Sequence, residues 1–392
     1  MIEILAMKER VRAVFSNHRI EAAAEFLRAN EPNIEADQIA VTMIPAPPFQ
    51  EDERGRCFAE LLRGAGLHPI LDAVGNVIAP YDDFGRNPVV LCAHLDTVFP
   101  AHVPLELRRS GRVLSLPGIA DNGSGLVALL WVLRAAKESG LWFRRPVVAV
   151  ASVGEEGRGN LRGVRHLFQA PPWDGRKCEF IAIDVGGPER VIHQGLGSLR
   201  FRIRMTGPGG HSWADFGRPN PVHTLASLIH RFTSMASMPG VTFNFGVISG
   251  GISVNAIPTE ASVELDMRST SAEQLSQLRA QLKRCANEES VRAGVGCQME
   301  LIGERPSGGA DAQSELVQAA METARWMGLA PLLDTGSTDA NMPMFLGIPA
   351  IAVGAGGSSG NIHTPGEWFD PTGRDVGLVR LLALVAVLAG IR

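Results

Sequence analysis

The sequence of 392 residues contains few cysteines and no apolar run long enough to cross a membrane. Its five cysteines are scattered without a CxxC pair, which predicts neither a disulfide framework nor a zinc ribbon. Charged residues interrupt any apolar run in the first ten positions, so the start of the chain does not resemble a signal peptide. The apolar stretch 381–390 predicts a buried closing helix. We therefore expect a cytoplasmic protein that does not associate with membranes.

A strong charge bias is also absent, since the formal net charge is -4 and charged residues make up 20% of the chain. This composition offers no electrostatic reason to expect a nucleic-acid partner. Hydrophobic residues make up 45% of the sequence, a value typical of globular proteins. Because 392 residues exceed what one hydrophobic core normally supports, we expect two domains.

What the sequence does contain is a series of apolar runs that end in polar residues. Such ends lie at His94, at Asp121, at the pair Glu155 and Glu156, and at Asp184; His363 follows a further run. Strands of a parallel sheet are buried on both faces, so their chemistry takes place where a strand ends. Imidazole with several carboxylates and no thiolate suits zinc, manganese or cobalt in a hydrolytic site. The series predicts a catalytic metal centre.

Each of these residues also has an ordinary interpretation. An aspartate before a helix, such as Asp121, is usually an N-cap, and a lone aspartate at a strand end, such as Asp184, is usually a turn residue. The ordered series, rather than any single residue, indicates the metal site. The glycine-rich run 354–360 lacks the ending of a phosphate-binding loop, and we interpret it as a flexible loop that delivers His363.

The order of predicted elements indicates an α/β protein with an inserted domain. Residues 1–196 alternate helices with apolar strands, which predicts a mostly parallel sheet with helices on both faces. Residues 197–305 begin with a strand of alternating pattern and continue as a βαββαβ series. The βα pattern returns in residues 306–392. We therefore predict one α/β domain, split in sequence, around a smaller α+β domain.

Five short motifs occur in an order that resembles a known enzyme family. They are HLDT at 94–97, GIADNGSG at 118–125, GEEGRGNLRG at 154–163, GPGGHS at 207–212 and IHTPGEW at 362–368. Together with Asp184, they resemble the M20 family of co-catalytic metallopeptidases, which includes tripeptide aminopeptidases, dipeptidases, N-acyl-amino-acid deacylases and glutamate carboxypeptidases. The resemblance implies a di-metal hydrolase domain with an inserted domain that serves as lid and dimerisation surface, and hence a homodimer.

The resemblance also implies two divalent metal ions, with zinc expected and cobalt or manganese as alternatives. His94 and Asp184 would hold one ion. Glu156 and His363 would hold the other, and Asp121 would bridge the two. Positions would then stay open for water and substrate, as a catalytic site requires.

Three further residues are implied to act in catalysis. Glu155, beside the ligand Glu156, would be the general base, and Asp96 would hold His94 in the tautomer that the metal needs. His211 would reach the active site of the partner subunit and stabilise the oxyanion. The Gly-Pro-Gly-Gly run before His211 allows close approach to a ligand. The alternative for His211 is a place in an exposed hairpin turn.

Arg268 and Asn255 match family positions that contact substrate. An arginine suits a carboxylate because its planar fork donates two parallel hydrogen bonds. An ordinary salt bridge at a strand end is the alternative for Arg268. The polar loop 336–341 resembles the family segment that lines the substrate pocket, which would bring Asn341 to the substrate.

The predicted reaction is hydrolysis of an amide bond in a small peptide, as in a tri- or dipeptide aminopeptidase. Aspartate rather than glutamate at position 184 favours this substrate class within the family. The alternative is an N-acyl-amino-acid amidohydrolase or a carboxypeptidase on the same scaffold, which needs the same metals and water. A non-catalytic binding protein is the alternative from another class. It would be favoured by loss of a ligand or of the base, and all of these residues are present.

Overall fold

The computed structural model describes residues 2–169, 177–235 and 238–392. The chain divides into two compact units. The first, called the split unit below, comprises residues 1–195 and 309–392, and the second, called the inserted unit, comprises residues 196–308.

The first part of the split unit contains four helices before its main strands. Its elements are α1 (Ile2–Phe15), α2 (His18–Ala29), α3 (Glu31–Thr42), α4 (Asp52–Gly64), β1 (Ile70–Leu71), β2 (Val77–Pro80), β3 (Val89–His94), β4 (Arg108–Ser110), β5 (Val113–Ser115), α5 (Gly123–Glu138), β6 (Val147–Ser152), a 3-10 turn (Gly157–Gly159), α6 (Arg162–Leu167), β7 (Glu179–Asp184) and β8 (Arg190–Gly195). The sequence pattern predicts a helical start as far as Ala29, and the structure adds α3 directly after it. Asn30 ends α2 and also begins α3, which has a proline in its first turn, where no N–H partner is needed.

The inserted unit has the predicted βαββαβ order, with short added strands. Its elements are β9 (Gly197–Thr206), β10 (Gly210–His211), α7 (Pro221–Met235), β11 (Val241–Gly250), β12 (Ala256–Ile257), β13 (Glu260–Ser269), α8 (Ala272–Ala293), β14 (Gly296–Arg305) and β15 (Gly308–Gly309), of which the last spans the boundary. Its antiparallel sheet has the order β11-β13-β9-β14. Leu199, Phe201 and Ile203 of β9 pack in the cluster formed with α7 and α8. Arg200 and Arg202 lie on the opposite face, as expected for a strand with one wet side.

The C-terminal part completes the split unit. Its elements are α9 (Glu315–Trp326), β16 (Leu332–Gly336), α10 (Asn341–Phe345), β17 (Ala350–Gly354), β18 (Ser358–Gly360), β19 (Trp368–Asp370) and α11 (Arg374–Ala389). The apolar stretch 381–390 falls mainly in α11, which is buried as predicted. Within the described ranges, no helix is long and apolar enough to cross a membrane.

The main sheet of the split unit runs β1-β2-β6-β3-β7-β17-β8, with β16 beside β8. The four central strands, β6, β3, β7 and β17, are parallel, whereas β2 and β8 are antiparallel to their inner neighbours. Alternate residues of β3 enter two separate clusters. Val89 and Leu91 pack with α2, α5 and α11, whereas Val90 and Cys92 pack with α6 and α10. Both faces are therefore covered, and the prediction of a mostly parallel sheet in an α/β fold is confirmed.

A second, small antiparallel sheet in the split unit has the order β18-β19-β5-β4. It corrects the interpretation of the glycine-rich run 354–360 as a flexible loop, because 358–360 pairs with β19. A side chain on Gly360 would lie 2.7 Å from the Trp368 ring, so the glycine lets that indole lie against the strand. The loop with His363 is therefore a connection between two paired strands.

Candidate metal centre

The predicted metal ligands come together at the carboxyl edge of the main sheet. His94 is the last residue of β3, and Asp184 is the last residue of the neighbouring parallel strand β7. Asp121 precedes α5, and Glu156 follows the end of β6 in a tight turn. Because adjacent parallel strands end at the same edge, residues far apart in sequence meet there.

Asp121 lies between two histidines. The Nε2 atom of His94 is 3.1 Å from Oδ1 of Asp121. The Nε2 atom of His363 is 3.1 Å from Oδ2 of Asp121 and 2.9 Å from Oε1 of Glu156. One ligand atom each from His94, Asp121 and Glu156 can be chosen so that all lie within 4.8 Å of one another.

These donors fit the implied pair of divalent ions. Within the described part of the chain, Oδ1 of Asp121 is buried without a hydrogen-bond partner, although Nε2 of His94 is close to it. A buried carboxylate oxygen without a partner is costly unless a cation binds it. Imidazole and carboxylate without thiolate is the donor set of a catalytic site. The arrangement is therefore compatible with an ion on each side of Asp121.

The electrostatics of the cluster reflect crowded negative charge. Burial and the charge of Asp121 raise the pKa of Asp184 to about 7. Hydrogen bonds to Asp121 and Glu156 raise the pKa of His363 to about 10. Burial alone would raise the pKa of Asp121, but the hydrogen bond from His363 and the nearby His94 hold it below its usual range. Nearby positive charge therefore stabilises the ionised forms of these crowded carboxylates.

Asp96 is fully buried and organises two neighbouring segments. Its main-chain carbonyl lies 2.9 Å from Nδ1 of His94. A carbonyl only accepts hydrogen bonds, so in neutral His94 the proton is on Nδ1 and the lone pair of Nε2 faces Asp121. The Asp96 carboxylate accepts the N–H groups of Glu155 and Glu156, at 2.9 and 2.7 Å. Asp96 thereby fixes the turn with both glutamates, a contact that the sequence did not predict.

Two buried carboxylates near the centre had no predicted role. The carboxylate of Glu367 accepts main-chain N–H groups of the segment that ends at Asp121. Asp339 accepts a hydrogen bond from the hydroxyl of Ser152 at the end of β6, and burial raises its pKa. The available signal for Glu367 was its place in the IHTPGEW motif. For Asp339, the only signal in the sequence was its position in the polar loop 336–341.

Three predicted residues lie in the inserted unit. His211 ends β10, where its Nδ1 accepts the N–H of Trp213 at 3.2 Å. Asn255 is next to it, since its carbonyl accepts the N–H of Ser212 at 3.0 Å. Arg268, on β13, donates from Nε to Asp266 at 2.7 Å, which is the salt bridge considered as its alternative.

Asn341 lies in the split unit at the start of α10. Its side chain is fully buried, and its Oδ1 accepts the N–H of Thr338 at 2.9 Å. This bond holds the loop 336–341 in shape. Asn341 therefore has a structural role in this loop, and its predicted contact with substrate stays a prediction.

Comparisons with known proteins give matches over most of the chain. The model of peptidase family M20/M25/M40 matches residues 90–389. A Mycobacterium tuberculosis protein provisionally named succinyl-diaminopimelate desuccinylase is 26% identical over 296 residues, covering 72% of this chain and 78% of that protein. An N-carbamoyl-L-amino acid amidohydrolase of Geobacillus stearothermophilus is 24% identical over 371 residues, covering 79% and 84%. A tripeptidase structure from Staphylococcus aureus matches with a TM-score of 0.79 at 20% identity, over 92% of this chain and 99% of that chain, and therefore has the same fold.

Proposed function

We propose a function on the premise that the chain belongs to peptidase family M20/M25/M40. The proposed function is hydrolysis of an amide bond in small peptides, as a tri- or dipeptide aminopeptidase. The observation that carries the proposal is the position of Asp121 between His94 and His363, with Glu156 beside His363. A single carboxylate flanked by two imidazoles is what a shared ligand of two ions requires.

The five proposed ligands are His94, Asp121, Glu156, Asp184 and His363. When bound, two divalent ions, with zinc the expected metal, would polarise the scissile carbonyl and lower the pKa of water. This donor set also accommodates cobalt or manganese.

Glu155 is the proposed general base. Its main-chain N–H is held by Asp96, and its side chain is buried beside Glu156. The Glu155 carboxylate takes a proton from the attacking water while the water oxygen bonds to the carbonyl carbon. It then transfers that proton to the leaving nitrogen as the carbon–nitrogen bond breaks. No covalent intermediate with the protein is needed.

The proposal includes a homodimer in which His211 acts on the oxyanion in the partner subunit's site and Arg268 and Asn255 contact the substrate. Support for a partner comes from strand β11, which is at an edge of its sheet. Val247 and Ile248 on this strand are exposed. An exposed apolar edge strand can pair with a second copy across a two-fold axis.

The second candidate is an N-acyl-amino-acid amidohydrolase. Two of the relatives reported above have names of this kind, a desuccinylase and a carbamoyl-amino-acid amidohydrolase. The same ligands and base would serve this reaction, because only the acyl side of the amide differs. The substrate pocket decides between the two candidates.

A substrate panel tests the proposal. Purified protein supplied with zinc, cobalt or manganese is incubated with di- and tripeptides, and separately with N-acetyl, N-succinyl and N-carbamoyl amino acids. We expect release of the N-terminal residue from peptides that have a free amine. A Glu155→Gln preparation is the control for contaminating peptidases. Preferred cleavage of acylated amino acids would support the second candidate, and no cleavage of any amide would contradict both.

A further inference from the structure

The carboxylate of Glu367 is fully buried and holds the segment that leads to Asp121. Its Oε2 accepts the N–H of Gly118 at 3.0 Å. Its Oε1 accepts the N–H groups of Ala120 and Asp121, at 2.8 and 2.9 Å. One side chain therefore fixes almost the whole turn before Asp121.

The same residue also belongs to the segment with His363. The N–H of Glu367 donates to the carbonyl of Thr364 at 3.0 Å, which closes the turn directly after His363. Its carbonyl accepts the N–H of Leu116 at 3.1 Å, and the next residue, Trp368, pairs with β5. Glu367 thus joins the two segments through both its main chain and its side chain.

We infer that Glu367 is a positioning residue that sets Asp121 and His363 at the spacing needed for metal binding. Oδ2 of Asp121 and Nε2 of His363 are 3.1 Å apart, yet the two residues are separated by 242 positions in the chain. Glu367, four positions after His363, is the side chain that links their segments. Its side chain is not exposed, so it acts through these two residues and not on the substrate.

The inference rests on the proposed ligand roles of Asp121 and His363. Loss of the groups that orient metal ligands typically costs 10- to 100-fold in metal affinity or activity. A Glu367→Ala variant removes all three hydrogen bonds to the turn. In Glu367→Gln, one oxygen can still accept the N–H groups of Ala120 and Asp121, but the amide NH2 faces the N–H of Gly118. The expected order of metal affinity is wild type, then Glu367→Gln, then Glu367→Ala.

The experiment measures zinc and cobalt binding by calorimetry, with kcat, KM and thermal unfolding, on the full chain. Glu289→Gln is the matched control, because Glu289 is also buried and its carboxylate accepts hydrogen bonds from side chains of the inserted unit, such as Arg231 and Ser227. We expect about 10-fold weaker binding of at least one ion in Glu367→Gln, a lower kcat and little change in KM. The control should keep both ions at wild-type affinity.

Unchanged metal affinity and kcat in a folded Glu367→Gln protein would overturn the inference. So would an equal loss in the Glu289 control, which would indicate a general effect of removing a buried charge. If Glu367→Ala does not fold, the glutamine variant decides alone. A wild-type protein that binds no metal or hydrolyses no amide contradicts the proposed function instead, so the two failures are distinguishable.

Discussion

Glu155 and Glu156 are adjacent in sequence and have different proposed roles. Oε1 of Glu156 is 2.9 Å from Nε2 of His363, in the group of ligand atoms around Asp121. Glu155 is assigned to the water instead. Two adjacent residues in a turn can point in different directions, and the Asp96 carboxylate holds the main chain of both. The contact with His363 is the observation that favours Glu156 as the proposed ligand.

Substitution of each glutamate tests that separation. Glu155→Gln should keep both ions, because it removes no ligand, while kcat falls by at least ~10²-fold, the scale of a lost general base. Glu156→Gln should lose about one ion per chain, since a neutral amide is a poor ligand. Elemental analysis of the purified variants, paired with kcat, measures both effects. A fall in metal content that parallels the fall in activity of Glu155→Gln would reverse the two assignments.

Sequence patterns could indicate His94 and Glu156 because each follows a strand that ends at the same sheet edge. Asp121 follows a turn and not the predicted strand, so its signal was the motif around it. Glu367 and Asp339 could not be assigned in this way. Glu367 bonds to main-chain groups up to 249 positions away, and Asp339 bonds to a hydroxyl 187 positions away. Such contacts depend on the folded topology and leave no local periodicity. Asn341 was singled out from its polar loop, and its contact with substrate stays a prediction.

At the scale of elements, the first turn of α5 packs directly against β7. Asn122 caps the helix by accepting the N–H of Gly125 at 3.1 Å and donates to the carbonyl of Ile183 at 2.9 Å. A Cβ atom on Gly125 would lie 2.7 Å from that same carbonyl oxygen. The glycine therefore permits the close approach that brings Asp121, before the helix, near Asp184, after the strand.

Gly125→Ala should lower the free energy of unfolding by about 1–3 kcal/mol, because the added methyl group overpacks the contact. It should also weaken metal binding, since the helix start must shift away from β7. Gly64→Ala, at the end of α4, is the matched control because nothing lies within 4 Å of its added Cβ. The control should be neutral or stabilising by up to about 1 kcal/mol. Urea unfolding measures both variants, and equal stability of Gly125→Ala and wild type would refute this packing role.

The main helices and strands could be predicted from hydrophobic periodicity, including the change from buried strands to the alternating pattern of β9. Helix α3 was missed because Asn30 serves two helices without a break. The paired strand at 358–360 was missed because its partner lies across a turn and glycines have no hydrophobic pattern. The antiparallel direction of β2 and β8 could not be predicted from the sequence either. The hydrophobic period of one strand does not show which strand it pairs with or in which direction.

At the scale of the whole molecule, the proposed homodimer predicts complementation between two inactive variants. If His211 acts in the partner's site, His211→Ala and Glu155→Gln should each be nearly inactive alone. In a mixed dimer both lesions fall in one site, so the other site has intact Glu155 and His211. Random mixing makes about half of the dimers mixed, and about a quarter of wild-type activity should return.

The control for complementation is each variant taken alone through the same dissociation and re-association procedure. Absence of recovery on mixing would assign His211 to its own subunit's site or to no catalytic role. A monomer by light scattering at the working concentration would remove the basis of the dimer proposal.

Metal titration of activity tests the proposed di-metal hydrolase most directly. The protein is stripped with a chelator, and zinc, cobalt or manganese is returned in steps while peptide hydrolysis and bound metal are both measured. Two ions sharing Asp121 predict no hydrolysis by the stripped protein and a maximal rate at two ions per chain. Full activity after complete removal of metal, or a maximum reached at one ion per chain with no second ion bound, would contradict the proposed site.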